Sequence, residues 1–454
     1  MSRIAISGFK AYDLRGRIPG ELNDQIAYRI GRAYAEFVKP RKVIVGRDIR
    51  LSSEQLAKSL EQGLLDAGVD VHDIGLCGTE VVYYATFAHE MDGGIMVTAS
   101  HNPPDYNGMK FVREGSRPIS GDTGLKDIRE IAEAGEFTRA TRTGDRFAMD
   151  AMPGYIEHLL RYVDRAQLKP LKIVVHAGNG GAGLIIDKLQ RFLPFEFIKV
   201  HHEPDGRFPN GVPNPMLPEN HRAPVEALKQ HHADLAISWD GDYDRCFLFD
   251  EHGGFIEGYY IVGLLASVFL ARTPGSAIVH DPRLTWNTLD IVKVAGGRAV
   301  LSKSGHAFIK HVMREADAIY GGEMSAHHYF RDFSYCDSGM IPWLLVTQIM
   351  SDTGKTLSEL VGERMRLYPA SGEINRRVPD AQATLAAVSA RYVPGAVSVG
   401  HTDGLSVEFA DWRFNLRVSN TEPLIRLNVE SRGQPALMRA RTDELIALIG
   451  GEPG

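Results

Sequence analysis

The sequence predicts a multidomain α/β fold that ends in a small α+β segment, and three observations carry this prediction. The chain has 454 residues, more than one hydrophobic core organises, which points to three or four domains. A short apolar strand, a Gly/Asp/Arg/Asn turn, a helical stretch and a second strand ending in a polar loop recur three times along it. The last stretch breaks that pattern and reads as strands around a turn followed by one helix.

The first copy of the repeat runs from Val43-Ile44-Val45 into Gly46-Arg47-Asp48, then from Gly94-Ile95-Met96-Val97 into Thr98-Ala99-Ser100-His101. The second runs from Lys172-Ile173-Val174-Val175 into Ala177-Gly178-Asn179-Gly180, then from Leu235-Ala236-Ile237-Ser238 into Trp239-Asp240-Gly241-Asp242. The third runs from Ala277-Ile278-Val279 into His280-Asp281-Pro282-Arg283, then from Ala318-Ile319-Tyr320 into Gly321-Gly322-Glu323-Met324-Ser325. Strands alternating with helices form α/β units, which place ligands at the carboxyl ends of their strands. Large α/β proteins also produce such pairs by chance; the unusual polar loop after each second strand sets these apart. Residues Pro369 to Asn375 read as a linker. Trp412–Val418 and Leu424–Glu430 read as strands, and Pro435 to Ile449 as a closing helix.

The composition is that of a soluble globular protein, 44% hydrophobic and 24% charged. A net charge of −6 offers nothing to attract nucleic acid, though a local basic pocket is compatible with it. Cys77, Cys246 and Cys336 are distant and odd in number, so they suggest neither a metal site nor a disulfide framework, and a reducing compartment fits. Met1 to Lys10 lacks a signal pattern, no apolar stretch approaches membrane-spanning length, and the one around Ile341 to Met350 is short and reads as a core helix. A cytoplasmic protein without membrane partners is expected.

Four loops could carry chemistry. Ser100, between an apolar strand and His101-Asn102-Pro103, sits on a tight turn with its hydroxyl exposed. A free serine is a weak nucleophile that needs a base or a metal, and this one lacks the hydrolase Gly-x-Ser-x-Gly elbow. Alone, such a turn is more often structural. Lys110, in Asn107-Gly108-Met109-Lys110, is an acid/base candidate or an ordinary surface lysine. Asp240, Asp242 and Asp244 project alternately from one extended loop, and three carboxylates so close repel unless a cation joins them. Such hard oxygens suit Mg²⁺. Arg245 stands where an EF-hand requires glycine and a strand precedes the loop, which excludes that motif; a solvated acidic turn remains open. Arg245 itself could pair with a carboxylate or reach a phosphate.

In the third loop, Glu323 and Ser325 suit vicinal sugar hydroxyls, and adjacent His327 and His328 point apart, against a two-histidine metal site. In the fourth, Arg417, Ser419, Asn420 and Thr421, with Arg426 on the next strand, offer a phosphate charge-assisted donors and an anion nest. An ordinary loop and a solvated turn are the alternatives for these two. His306, in Ser304-Gly305-His306, reads alone as structural.

Thr98-Ala99-Ser100-His101-Asn102-Pro103, Asp240-Gly241-Asp242-x-Asp244-Arg245, Gly322-Glu323-Met324-Ser325 and Arg417-x-Ser419-Asn420-Thr421-Glu422-Pro423 occur in order. With Tyr12-Asp13-Leu14-Arg15-Gly16 before them, they resemble the α-D-phosphohexomutase superfamily over essentially the whole chain. The Glu-Met-Ser form of the sugar loop is similar to the bacterial phosphomannomutase/phosphoglucomutase branch. The resemblance implies three similar mixed-sheet α/β domains and a smaller α+β C-terminal domain around a central cleft. Their expected bounds are 1–150, 151–252, 253–368 and 369–454. It implies a phosphorylated Ser100, with Mg²⁺ held by that group and by Asp240, Asp242 and Asp244. It implies sugar contacts from Glu323 and Ser325, with His327 beside them, and a non-reacting phosphate on Arg417, Ser419, Asn420, Thr421 and Arg426. Tyr12, Arg15, His101, Lys110, Arg245, Arg283 and His306 match further active-site positions, Lys110 being the family's proton-transfer candidate. Leu14 replaces an isoleucine, Ala326 a frequent glycine, and Arg283 lies where lysine is common.

The implied reaction interconverts hexose 6-phosphate and hexose 1-phosphate through phosphoserine and a 1,6-bisphosphate, which also serves as activator, in service of nucleotide-sugar and polysaccharide synthesis. The enzyme would be a monomer or dimer acting on small sugar phosphates. Phosphoglucosamine mutase and glucose-only phosphoglucomutase are the alternatives within the family; a Mg²⁺-dependent phosphatase or a non-catalytic sugar-phosphate binder stands outside it.

Overall fold

The computed structural model describes residues 3–418 and 424–454. They form two compact units, Met1–Phe255 with Tyr329–Gly354, and Ile256–His328 with Lys355–Gly454.

The first unit holds two sheets. Strands β1 (Leu14–Arg17), β2 (Lys42–Arg47), β3 (Asp70–Leu76), β4 (Gly93–Val97) and β5 (Tyr106–Arg113) lie in the order β1-β5-β4-β2-β3. β2 is parallel to both β3 and β4, whereas β5 runs antiparallel to β4 and to β1. Val43 and Val45 of β2, Ile95 and Val97 of β4 and Phe111 of β5 pack with Ile26, Ile30, Leu56 and Leu60 from the helices Asp24–Val38 and Ser53–Asp66. The second sheet contains β6 (Lys172–His176), β7 (Glu196–Val200), β8 (Leu235–Trp239) and β9 (Cys246–Phe249), in the order β9-β8-β6-β7, with only β9 antiparallel. The helix Ile341–Thr353 is buried along most of its length, as its apolar run requires.

In the second unit, β10 (Ala277–His280) has β11 (Arg298–Leu301) and β12 (Tyr320–Gly322) as parallel neighbours. The C-terminal sheet is antiparallel, with β13 (Ile374–Arg377), β14 (Ser398–Gly400), β15 (Leu405–Glu408), β16 (Trp412–Val418) and β17 (Leu424–Ser431) in the order β14-β15-β16-β17-β13. Helices Ala381–Tyr392 and Pro435–Ile449 cover it, and Val388, Val407, Phe414, Leu416, Ile425, Leu427 and Leu445 are its core.

The strand pairs read from the sequence are adjacent parallel strands: β2 with β4, β6 with β8, and β10 with β12. Helix, strand and helix separate the members of each pair, where one helical stretch was expected. The extra strands β3, β7 and β11 flank the first member and have few fully buried residues, so no continuous apolar run announces them. Two boundaries also differ. The third repeat's second strand begins at Tyr320 and takes in both glycines, because a Cβ on Gly322 would lie 2.5 Å from Val262 Cγ2, and only glycine fits that ladder position. The expected linker ends early, since Ile374 and Asn375 pair with Leu427 and Arg426 as the start of β13.

Candidate active site

In the first unit, β4 is buried along its length and hands the chain to a turn in which Ser100 adopts φ 48°, the left-handed region. Such a conformation needs local support, and polar groups supply it. The Ser100 N–H donates to Thr98 Oγ1 at 2.9 Å. Arg50, its side chain wholly buried, donates to four carbonyls of this turn: Ser100 at 2.9 Å, Asn102 at 2.5 Å, Pro103 at 2.6 Å and Tyr106 at 2.9 Å. Asp48 Oδ2 lies 3.3 Å from Arg50 Nε as its counter-ion. Arg15 donates to the Ala99 carbonyl and, at 2.7 Å, to Asn102 Oδ1, and is itself held by Asp13 at 2.8 Å. Tyr12 is half-buried nearby and acts electrostatically on Arg15.

The aspartate loop after β8 packs against this turn. A Cβ on Gly241 would approach the Ser100 carbonyl oxygen to 2.5 Å, so a side chain there would push the two loops apart. Ser100 Oγ donates to Asp240 Oδ2 at 2.7 Å, and Arg245 Nε donates to the same oxygen at 2.9 Å. Asp242 Oδ2 accepts from Thr79 Oγ1 at 2.5 Å and Lys110 Nζ at 2.8 Å, and Lys110 also pairs with Asp244. Tyr243 Oη takes the Gly78 N–H at 2.7 Å, which fixes the start of the helix Thr79–Ala88 that presents Thr79.

All three aspartates are buried, and oxygens of Asp240, Asp242 and Asp244 lie within 4.8 Å of one another. Burial, the largest influence, would raise the Asp240 carboxyl, but Arg245 and His101 together outweigh it and hold Asp240 down at about 2. Burial and the Asp244 charge push Asp242 upward. Burial works against the Lys110 charge, yet Asp242 and Asp244 prevail and raise it, so Lys110 is a protonated interior group and not a surface lysine. Asp242 Oδ1 is buried with no hydrogen-bond partner among the described residues. Three converging carboxylates and one unspent buried oxygen fit a hard divalent cation such as Mg²⁺. His101 Nδ1 lies 3.0 Å from Ser100 Oγ and 2.6 Å from Arg245 Nη2; desolvation and that guanidinium favour the neutral ring.

In the second unit, the Glu323 N–H donates to the His327 carbonyl at 2.9 Å and the Ala326 N–H to the Glu323 carbonyl at 3.0 Å, closing a tight loop. Ala326 has φ 64°, the backbone reason why glycine suits this place. Asp281 Oδ2 accepts the Met324 N–H at 2.8 Å and Arg283 Nη2 at 2.7 Å. Arg283 also reaches Ser325 Oγ at 3.2 Å and lies 3.4 Å from Glu323, which accepts the Gly305 N–H at 2.7 Å. His327 Nδ1 lies 3.2 Å from Ser325 Oγ and 3.4 Å from Glu323 Oε2. His328 turns inward to Tyr320 Oη at 2.6 Å, so the two histidines do diverge. His306 opens the helix His306–Ala316 and is buried.

Arg417 and Arg426 face each other across β16 and β17. Arg417 donates to Glu373 at 2.8 Å, and Glu373 lies 3.5 Å from Arg426 and 3.7 Å from Arg283. Asp403 stands 3.9 Å from Arg417 and accepts the Ser304 N–H at 3.2 Å. Ser419, Asn420 and Thr421 lie outside the described residues.

Arg50, Thr79, Glu373 and Asp403 are absent from the sequence-based assignment. The loops after the first strands could have pointed to some of these supports. Arg50 follows β2 and holds the Ser100 loop. Gly181, after β6, donates its N–H to the Gly241 carbonyl at 3.0 Å. Asp281, after β10, holds Met324. In each α/β repeat the first loop braces the second.

The chain matches the phosphoglucomutase/phosphomannomutase α/β/α domain I over residues 7–139, domain II over 153–254, domain III over 257–368 and the C-terminal domain over 373–447. It is 60% identical over 448 residues to a phosphomannomutase of Salmonella typhimurium, covering 97% of this chain and 98% of the relative. It is 57% identical to a protein of Xanthomonas campestris pv. campestris described as phosphohexose mutases, covering 99% of this chain and 100% of that one. Among solved structures, a phosphoglucomutase/phosphomannomutase family protein from Burkholderia thailandensis superposes with a TM-score of 0.88 at 32% identity, over 99% of each chain. With its serine and aspartate loops in one unit and its Glu323–His328 and arginine loops in the other, this chain belongs to the phosphoglucomutase/phosphomannomutase family of enzymes, within the α-D-phosphohexomutase superfamily.

Proposed function

We propose that the protein interconverts hexose 6-phosphate and hexose 1-phosphate, with mannose and glucose phosphates as substrates, and that Ser100 carries the phosphoryl group. The 2.7 Å hydrogen bond from Ser100 Oγ to Asp240, the first of three buried carboxylates, supports this reading most strongly. A Mg²⁺ held by Asp240, Asp242 and Asp244 would neutralise charge on the phosphoryl group in transfer.

Starting from phosphorylated Ser100, the Oγ–P bond breaks as the phosphoryl group bonds to the free hydroxyl of hexose 6-phosphate. The proton which that hydroxyl gives up is balanced by one taken up at the released Ser100 Oγ, giving the 1,6-bisphosphate and a free serine hydroxyl. The bisphosphate turns round, its 6-phosphoryl group returns to Ser100, and hexose 1-phosphate leaves. Lys110 enters as a proton donor, since its two aspartate partners keep it charged, and Arg15 and Arg245 add positive charge around the serine turn. Glu323 and Ser325, with Arg283 and His327, hold sugar hydroxyls. Arg417 and Arg426 bind the phosphate that is not reacting, with Ser419, Asn420 and Thr421. We assign one loop to each of four domains, 1–150, 151–252, 253–368 and 369–454.

The test is a steady-state comparison of mannose, glucose and glucosamine 1-phosphates with Mg²⁺ and trace hexose 1,6-bisphosphate. Turnover of the first two without net release of inorganic phosphate is expected. Preference for glucosamine 1-phosphate, or stoichiometric phosphate release, would overturn the assignment.

A further inference from the structure

The arginines of the second unit already hold an anion. The Glu373 side chain, only 6% exposed, stands just before β13 and faces three guanidinium groups. Its Oε2 accepts from Arg417 Nη2 at 2.8 Å and lies 3.7 Å from Arg283 Nη1, and its Oε1 lies 3.5 Å from Arg426 Nη1. Arg417 and Arg426 are direct cross-strand partners, an arrangement in which like charges repel. A carboxylate among them relieves that repulsion. A phosphate monoester asks for the same donors with greater charge.

We propose that Glu373 is a resident competitor for the substrate's non-reacting phosphate: it occupies the Arg417 and Arg426 donors, yields them when phosphate arrives and takes them back when phosphate leaves. This rests on the assignment of Arg417 and Arg426 to that phosphate. Two features favour exchange over a permanent ion pair. Of the three guanidinium approaches, only the one from Arg417 is a formed hydrogen bond; those at 3.5 and 3.7 Å are beyond good geometry. Arg417 Nε is buried without a partner among the described residues, so the arginine keeps a donor that Glu373 does not use. Burial would raise the Glu373 carboxyl, but Arg417, Arg283 and Arg426 outweigh it, so the competitor is charged at neutral pH. The exchange also answers a demand of the reaction. The bisphosphate must quit this anion site once in each turnover, and an anion waiting beside it speeds release.

Calorimetric titration of the full-length protein with inorganic phosphate, in chelated low-salt buffer at neutral pH, tests the proposal. Glu373→Gln removes the charge at constant shape and should bind phosphate roughly three- to tenfold more tightly, with a lower KM for hexose 6-phosphate and a lower kcat. Equal or weaker phosphate binding by Glu373→Gln overturns the proposal, because a purely structural counter-ion would loosen the arginines when removed. Should that variant fail to fold, Glu373→Asp, which withdraws the carboxylate, is held to the same tightening. Arg417→Ala separates the two layers: phosphate binding equal to that of the unaltered protein sinks the underlying assignment.

Discussion

Lys110 Nζ donates to Asp242 Oδ2 at 2.8 Å and to Asp244 as well, so one buried ammonium serves two of the three clustered carboxylates. Replacing it with methionine leaves those charges uncompensated in the interior. Turnover should fall by about 10²-fold or more, the range of a lost acid/base group. Half-saturation for Mg²⁺ should move to lower concentration, because a competing cation has gone, and a metal titration of Lys110→Met checks both. The pair raises the lysine pKa, so its stabilisation is complete below the ordinary lysine value near 10.5 and is lost only as pH rises through the higher folded value. Between pH 6 and about 9 the effect of the substitution on stability should be flat.

Asp242 Oδ1 points to a direct test of the carboxylate cluster. Asp242→Asn keeps a group for Thr79 and Lys110 to contact but removes a charge. Half-saturation for Mg²⁺ should rise by roughly tenfold or more, with a matching loss of rate at low metal. An unchanged titration would exclude Asp242 from metal binding.

Ser100→Ala should abolish mutase turnover while leaving the fold intact, since among the described residues the hydroxyl hydrogen-bonds only with Asp240 and His101. Intact-mass measurement should show one phosphoryl group on the unaltered protein after exposure to hexose 1,6-bisphosphate and none on the variant.

Buried neutral histidines make acid stability predictable. Burial, and then His201, push His176 down to about 3; its ring sits 3.0 Å from His201 Nδ1 and 3.2 Å from Ser238 Oγ. Burial, and then His327, lower His328 to about 3 as well. Their folded values lie below the unfolded value of 6.5, so the stabilisation is present above pH 6.5 and is lost as pH falls toward 3. Each should contribute about 1.4 kcal/mol of lost stability per pH unit inside that window. Denaturant unfolding at pH 7.5 and 5 should show the decline, and His176→Gln should remove the His176 share of it while the His328 share remains.

Much of this was legible from the residues. Ser100, the aspartate trio and the arginine loop stand out as candidates only together, because each alone also reads as a structural or solvated turn, whereas their ordered succession after apolar strands does not. The C-terminal strands Trp412–Val418 and Leu424–Ser431 and the helix Pro435–Ile449 match their patterns closely, since their apolar periodicity is clear. Other features depend on partners far along the chain. Arg50 is one more arginine until the turn at 99–106 supplies its carbonyls, and Thr79 opens a helix without reference to Asp242, 163 residues away. Glu373 was hidden in what read as a linker. For Lys110 the residues alone leave acid/base candidate and surface lysine both open, because nothing local marks its strand, β5, as buried from residue 107 to 112.

The backbone at Ser100 has one further consequence. A threonine hydroxyl can carry phosphate as well as a serine hydroxyl, but a β-branched side chain is a strained rarity at φ 48°. The serine proposed as carrier is therefore favoured over threonine by steric hindrance at Cβ before reactivity enters, and Ser100→Thr would alter the turn ahead of the chemistry.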